Sequence, residues 1–123
     1  MFEISIQSSF ASAHRLRDYK GQCEALHGHN WKVEVYVKSQ KLNDLGLAID
    51  FKDLKEITKK ILSGLDHKYL NDIPPFDEIN PSSENIARFL FNRIKEEIKD
   101  PSVSVSKISV WESDTSFASY FEE

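Results

Sequence analysis

From Trp31 to Lys38 the chain alternates apolar and polar residues without a break. Trp31, Val33, Val35 and Val37 fall on one side, and Lys32, Glu34, Tyr36 and Lys38 on the other. This constrains the fold most, because a period of two fits an extended strand with one buried face. Phe2, Ile4 and Ile6 alternate with Glu3, Ser5 and Gln7 in the same way. The period then lengthens. Phe51, Leu54, Ile57, Ile61, Leu62 and Leu65 recur at threes and fours, the spacing of one helical face. Asp50 stands where a carboxylate can accept a bond from an orphan N–H of the first turn. A second stripe, Ile86, Phe89, Leu90, Ile94 and Ile98, follows Pro81, with Ser82 or Ser83 as its cap and Pro101 at its close. Ile108 and Val110 return to alternation, and Phe117 to Phe121 makes a last short strand. Val103 and Val105 have the opposite parity, which a bulge near Lys107 or a later strand start would reconcile.

The order strand–strand–helix–helix–strand–strand predicts an α+β fold: an antiparallel four-stranded sheet in ββααββ order with both helices on one face. Asp66 to Asn80 reads as a loop, with Pro74-Pro75 forbidding helix. The other face of the sheet carries Tyr36 among charged residues, to be solvated or packed on another subunit. The 123 residues hold no repeat or linker, so one domain spanning residues 1–123 is expected. A formal net charge of -4 argues against a bulk electrostatic grip on nucleic acid. No apolar run approaches the ~20 residues of a membrane span. The first residues lack a basic stretch followed by an apolar one, so no secretory signal is expected. A lone cysteine fits a reducing cytoplasm.

The chemistry lies in the histidines. His27 and His29, two apart on a strand, present both rings to the same side, and a hairpin would bring His14 back alongside them. Gly28 between them lets a backbone or ligand approach closely. Three neutral imidazoles with a fourth position open describe a catalytic zinc site. Spacing alone does not separate zinc from other metals that favour imidazole, and a bare His-x-His also arises by chance.

Cys23 lies four residues before His27 and has three readings: a fourth ligand closing a structural zinc site, a buried inert residue, or a thiolate acting beside the metal. Asp66-His67 has two. The carboxylate either orients an imidazole that shuttles protons or pairs with it on a surface loop. Glu112, an acid near a strand end, reads in isolation as solvent-facing.

Together these segments resemble the 6-pyruvoyl-tetrahydropterin synthase family. Phe10-Ala11-Ser12-Ala13-His14-Arg15-Leu16 resembles its first zinc-ligand motif, and Cys23-Glu24-Ala25-Leu26-His27-Gly28-His29 its Cys-x-x-x-His-Gly-His motif. Ile49 to Lys55 is similar to the start of its first helix, and Leu65-Asp66-His67-Lys68-Tyr69-Leu70-Asn71 to its Leu-Asp-His-x-x-Leu segment. Asn80-Pro81-Ser82-Ser83-Glu84-Asn85 and Val110-Trp111-Glu112-Ser113 complete the series. The resemblance implies the tunnelling fold (T-fold), in which the sheets of three subunits join into a barrel and two trimers stack into a homohexamer, with active sites at subunit interfaces. It implies Zn2+ on His14, His27 and His29, and Cys23 as the catalytic thiol with Asp66 and His67 as a proton relay. Glu112 would anchor the pterin, with Ser82, Ser83 and Glu84 lining its pocket. The short Cys23–His27 spacing resembles the bacterial branch that makes 6-carboxytetrahydropterin from dihydroneopterin triphosphate for queuosine. The pyruvoyl-forming branch and a non-enzymatic structural zinc protein are the alternatives. Arg15, Arg17, Lys20 and Lys68 are candidates for the triphosphate, or a solvated basic fringe.

Overall fold

The computed structural model describes residues 1–19 and 25–123. Two long strands, β1 (Phe2–His14) and β2 (His27–Ser39), pair antiparallel along their whole length, from Phe2 opposite Ser39 to His14 opposite His27. The alternation holds along β2, where Trp31, Val33, Val35 and Val37 are all buried. Helix α1 (Phe51–Leu62) begins at Asp50, whose carboxylate accepts from Lys52 N at 2.8 Å. Helix α2 (Ser83–Glu97) begins at Ser82, whose hydroxyl accepts from Asn85 N at 3.1 Å. Strands β4 (Val103–Ser113) and β5 (Ser116–Tyr120) complete the sheet.

Among the described residues the sheet has five strands, not four: β3 (Lys68–Tyr69) joins it at one edge, giving the order β3-β1-β2-β4-β5, and it is not wholly antiparallel. The added strand runs parallel to β1 through Ser12–Lys68 and Ala13–Tyr69, and a single 3-10 turn (Leu70–Asp72) follows it. Both lie in the segment read from sequence as loop. Two residues are too few to show a period, and what holds them is distant: Ala11 N donates to Asp66 Oδ1 and His67 N to Ala11 O. The parity change in β4 is a bulge, since Tyr36 faces Lys107 and Val37 faces Val105, leaving Ser106 as the extra residue.

One core lies between the sheet and the two helices. Ile6, Phe10, Trp31, Val33, Val35, Ile108 and Val110 meet Leu54, Ile61, Ile86, Leu90 and Ile94 there. Phe51, counted from spacing into the buried face of α1, is instead exposed, because the helix begins at the margin of the core. On the opposite face Lys32 Nζ sits over Trp111, Lys107 Nζ over Tyr36, and Trp111 stacks on Phe117. Among the described residues no helix is long and apolar enough to cross a membrane.

Candidate metal centre and active site

The register of the first hairpin builds the site. His14 faces His27 directly and Ser12 faces His29, so the inward row that carries Phe10 and Trp31 ends in three imidazoles. Trp31 forms the floor, with its ring edge-on to both His14 and His29 and stacked on Phe10. Among the described residues a Cβ at Gly28 would meet only Ser12 O, at 4.0 Å, so packing against them does not require glycine there.

Backbone carbonyls set the protonation of two rings. His14 Nδ1 lies 2.7 Å from Pro81 O, and His27 Nδ1 2.9 Å from Ala25 O. A carbonyl only accepts, so in the neutral rings each Nδ1 carries the proton and each Nε2 a lone pair. Those two Nε2 atoms face each other at 3.0 Å. Two lone pairs at that distance repel unless a cation lies between their directions. His29 Nε2 is buried without a hydrogen-bond partner among the described residues; it is 3.1 Å from Glu112 Oε1, but off the hydrogen-bonding direction. Donor atoms of His14, His27, His29 and Glu112 all lie within 4.8 Å of one another. Tetrahedral ligands at ~2.0–2.1 Å from zinc stand roughly 3.3 Å apart. The donor set therefore fits such an ion, with three imidazole nitrogens first and one carboxylate beside them. Burial lowers the pKa of His14, with the Pro81 carbonyl pulling the other way, and the neutral ring this favours is the one that can ligate.

Asp66 and His67 form a second unit outside that cluster. Asp66 Oδ1 accepts from Ala11 N at 2.8 Å and Oδ2 lies 2.9 Å from His67 Nδ1. The Ala11 N–H, and after it the His67 ring, hold the Asp66 carboxyl below its ordinary pKa. His67 adopts φ of 56°, a left-handed conformation uncommon outside glycine, and its side chain is 81% exposed. A carboxylate that orients an imidazole whose other nitrogen is open to solvent can pass protons.

Two asparagines absent from the sequence-based site hold the strand beyond His14. Asn71 accepts from Arg15 N at 3.0 Å and donates to Arg15 O at 2.9 Å. Asn80 does the same to Arg17, at 2.8 and 3.1 Å. Each side chain thus replaces one rung of a ladder. The Arg17 guanidinium donates to the carbonyls of Asn71, Phe76 and Ile79, so it fastens the 71–79 loop rather than offering itself to an anion. Arg15 and Lys68 are exposed. Ser82 caps α2, Ser83 Oγ is 3.5 Å from Glu112 Oε2, and Glu84 lies exposed in the first turn of α2. Cys23 and Lys20 lie outside the described residues. Their place at the end of one motif segment (Asn71) and the start of another (Asn80) is the signal that could have marked them beforehand.

Fold and donor set define a class: an α+β protein with a cluster of three histidines and a glutamate, able to hold a metal ion, at one end of its sheet. The chain belongs to the 6-pyruvoyl tetrahydropterin synthase family, whose model matches residues 3–123, and with it to the enzymes of tetrahydropterin synthesis. It is 36% identical to the 6-carboxy-5,6,7,8-tetrahydropterin synthase of Haemophilus influenzae over a 144-residue alignment covering 99% of this chain and 100% of the relative. It is also 36% identical to the protein of that name from Synechocystis, over 98% of this chain and 94% of the relative. Its fold is similar to that of Caenorhabditis elegans 6-pyruvoyl tetrahydropterin synthase, with a TM-score of 0.86 at 24% identity, covering 99% of this chain and 96% of that one.

Proposed function

We propose that this protein converts 7,8-dihydroneopterin triphosphate to 6-carboxy-5,6,7,8-tetrahydropterin in the cytoplasm, releasing triphosphate and acetaldehyde, as a step of queuosine biosynthesis. The observation that carries the reading is the convergence of His14, His27 and His29 Nε2 on one point. Relatives 36% identical over nearly the whole chain bear the name of that activity. Zn2+ bound there would supply Lewis acidity to the substrate's side-chain hydroxyls.

The chain's own groups do the rest. The Nδ1–H bonds of His14 and His27 keep both rings in the ligating tautomer. Glu112 accepts paired N–H bonds from the aminopyrimidinone edge, and Ser82, Ser83 and Glu84 line that pocket. Asp66 holds Nδ1 of His67, leaving Nε2 to give or take a proton, while Cys23 moves a second proton at the opposite face. The Asp66–His67 pair is exposed and stands apart from the histidine cluster. That supports sites completed between subunits, in a homohexamer built as a dimer of trimers.

The test is mass spectrometry of the product formed from dihydroneopterin triphosphate without added reductant. A 6-carboxy product with acetaldehyde is expected; a pyruvoyl or hydroxymethyl product would overturn the assignment. Cys23→Ala should keep zinc and lose turnover. Loss of metal together with unfolding would instead make the site structural.

A further inference from the structure

We propose that Glu112 is the fourth ligand of the metal in the substrate-free protein, and that it must leave the ion before it can hold a pterin. The inference rests on the metal-site reading above and adds a state to it.

Three observations carry it. Glu112 Oε1 stands 3.1 Å from His29 Nε2, a buried nitrogen with no hydrogen-bond partner among the described residues. A simple ion pair would point an N–H at the oxygen. An off-axis contact at about the spacing of two ligands on a tetrahedral ion is what results when both atoms aim at a shared third point. Second, the register of β4 with β5 shifts between Trp111 and Ser113, leaving Glu112 at the irregularity. Such a break re-aims a side chain, here toward the end of the sheet where the imidazoles gather. Third, the other carboxylate oxygen has its own support: Oε2 lies 3.5 Å from the hydroxyl of Ser83, a buried residue at the first position of α2. Ligating carboxylates are commonly steadied in this way by a hydrogen bond to the oxygen that faces away from the metal.

One carboxylate cannot do both jobs. A two-point grip on an aminopyrimidinone needs both oxygens, whereas Oε1 on the ion leaves one. Binding of substrate is therefore coupled to release of Glu112. The side chain is 38% exposed, so it has room to swing. With three neutral imidazoles, a bound carboxylate lowers the net charge of a divalent centre from +2 to +1. Its departure would restore the stronger Lewis acid once substrate is present.

The test is zinc affinity by chelator competition for the wild type and Glu112→Gln, with the fold of both metal-free proteins checked by circular dichroism. The variant keeps the side-chain shape but is a poor ligand, and at least about tenfold weaker zinc binding is expected. Should the variant not fold, the crystal structure of the zinc-loaded, substrate-free wild type decides. There Oε1 is expected within about 2.0–2.2 Å of the ion. Unchanged zinc affinity in Glu112→Gln overturns the proposal, as does a wild-type structure with water in the fourth position and the carboxylate beyond about 3.5 Å. Either result would leave the proposed reaction standing. Failure of the wild type to bind zinc at all would remove both.

Discussion

The two halves of the β1–β2 ladder share one geometry and serve opposite ends. Toward Phe2 and Ser39 the inward row is Ile4, Ile6, Val33, Val35 and Val37, sealed under the helices. Toward His14 and His27 the same row, at the same alternation, carries three imidazoles. The apolar half is favourable by itself, because each side chain leaves water and meets others. The histidine half is conditional. A buried ring nitrogen without a partner costs roughly 1–3 kcal/mol, and His29 Nε2 is such an atom. A strand ladder is thus a neutral scaffold, and the side chains decide whether one end of it is core or a place for a cation. Trp31 stands at the border, buried among the aliphatic residues on one side and edge-on to His14 and His29 on the other.

That border can be broken on purpose. Trp31→Ala should damage both halves, costing about 3–5 kcal/mol in urea denaturation and weakening zinc binding as well. If only one property changes, the halves are more independent than their shared floor implies. His14→Ala should separate them. Zinc affinity by chelator competition is expected to fall at least about 100-fold, while the metal-free denaturation midpoint moves far less than in Trp31→Ala. Asn71→Ala probes the continuation of β1 beyond the site. It strips partners from both the N–H and the C=O of Arg15, for an expected loss of about 1–3 kcal/mol.

The smallest effect is a matter of pH. Asp66 titrates below its ordinary value, chiefly because of the Ala11 N–H and then the His67 ring. The native state therefore takes up this proton less readily than the unfolded chain. The stability it adds is full above the ordinary carboxylate pKa and is lost as pH falls through the lower folded value. Denaturation of Asp66→Asn as a function of pH should show a flatter acid limb than the wild type. An identical limb would mean that the corner docking β3 onto β1 owes nothing to that charge.

Much of the fold could be read in advance because its signals are local. The period-two rows of β1 and β2, the helical stripe of α2, the caps at Asp50 and Ser82 and the parity break in β4 each declare themselves within a few residues. The segment 66–80 did not, since β3 is two residues long and exists only where Lys68 and Tyr69 meet Ser12 and Ala13. Phe51 misled for a related reason, because spacing shows which face of a helix is apolar but not where the core ends. Of the site, the gathering of His14, His27 and His29 was legible through strand parity and motif. The position of Glu112 beside His29 was not, since their strands meet through a register that no short stretch encodes.

By itself, the sequence determined which segments are strands and helices, which sides of them are apolar, and that His27 and His29 face the same way. These follow from backbone periods spanning a few residues. The tertiary structure alone decided that His14 lies opposite His27, that Pro81 and Ala25 carbonyls turn two Nε2 lone pairs toward each other, and that Asn71 and Asn80 clamp Arg15 and Arg17. Asn71 reaches Arg15 across 56 residues of chain and Pro81 reaches His14 across 67. Contacts so distant form only when sheet register and helix packing are already in place, and a one-residue slip of the hairpin would turn the imidazoles to the opposite face.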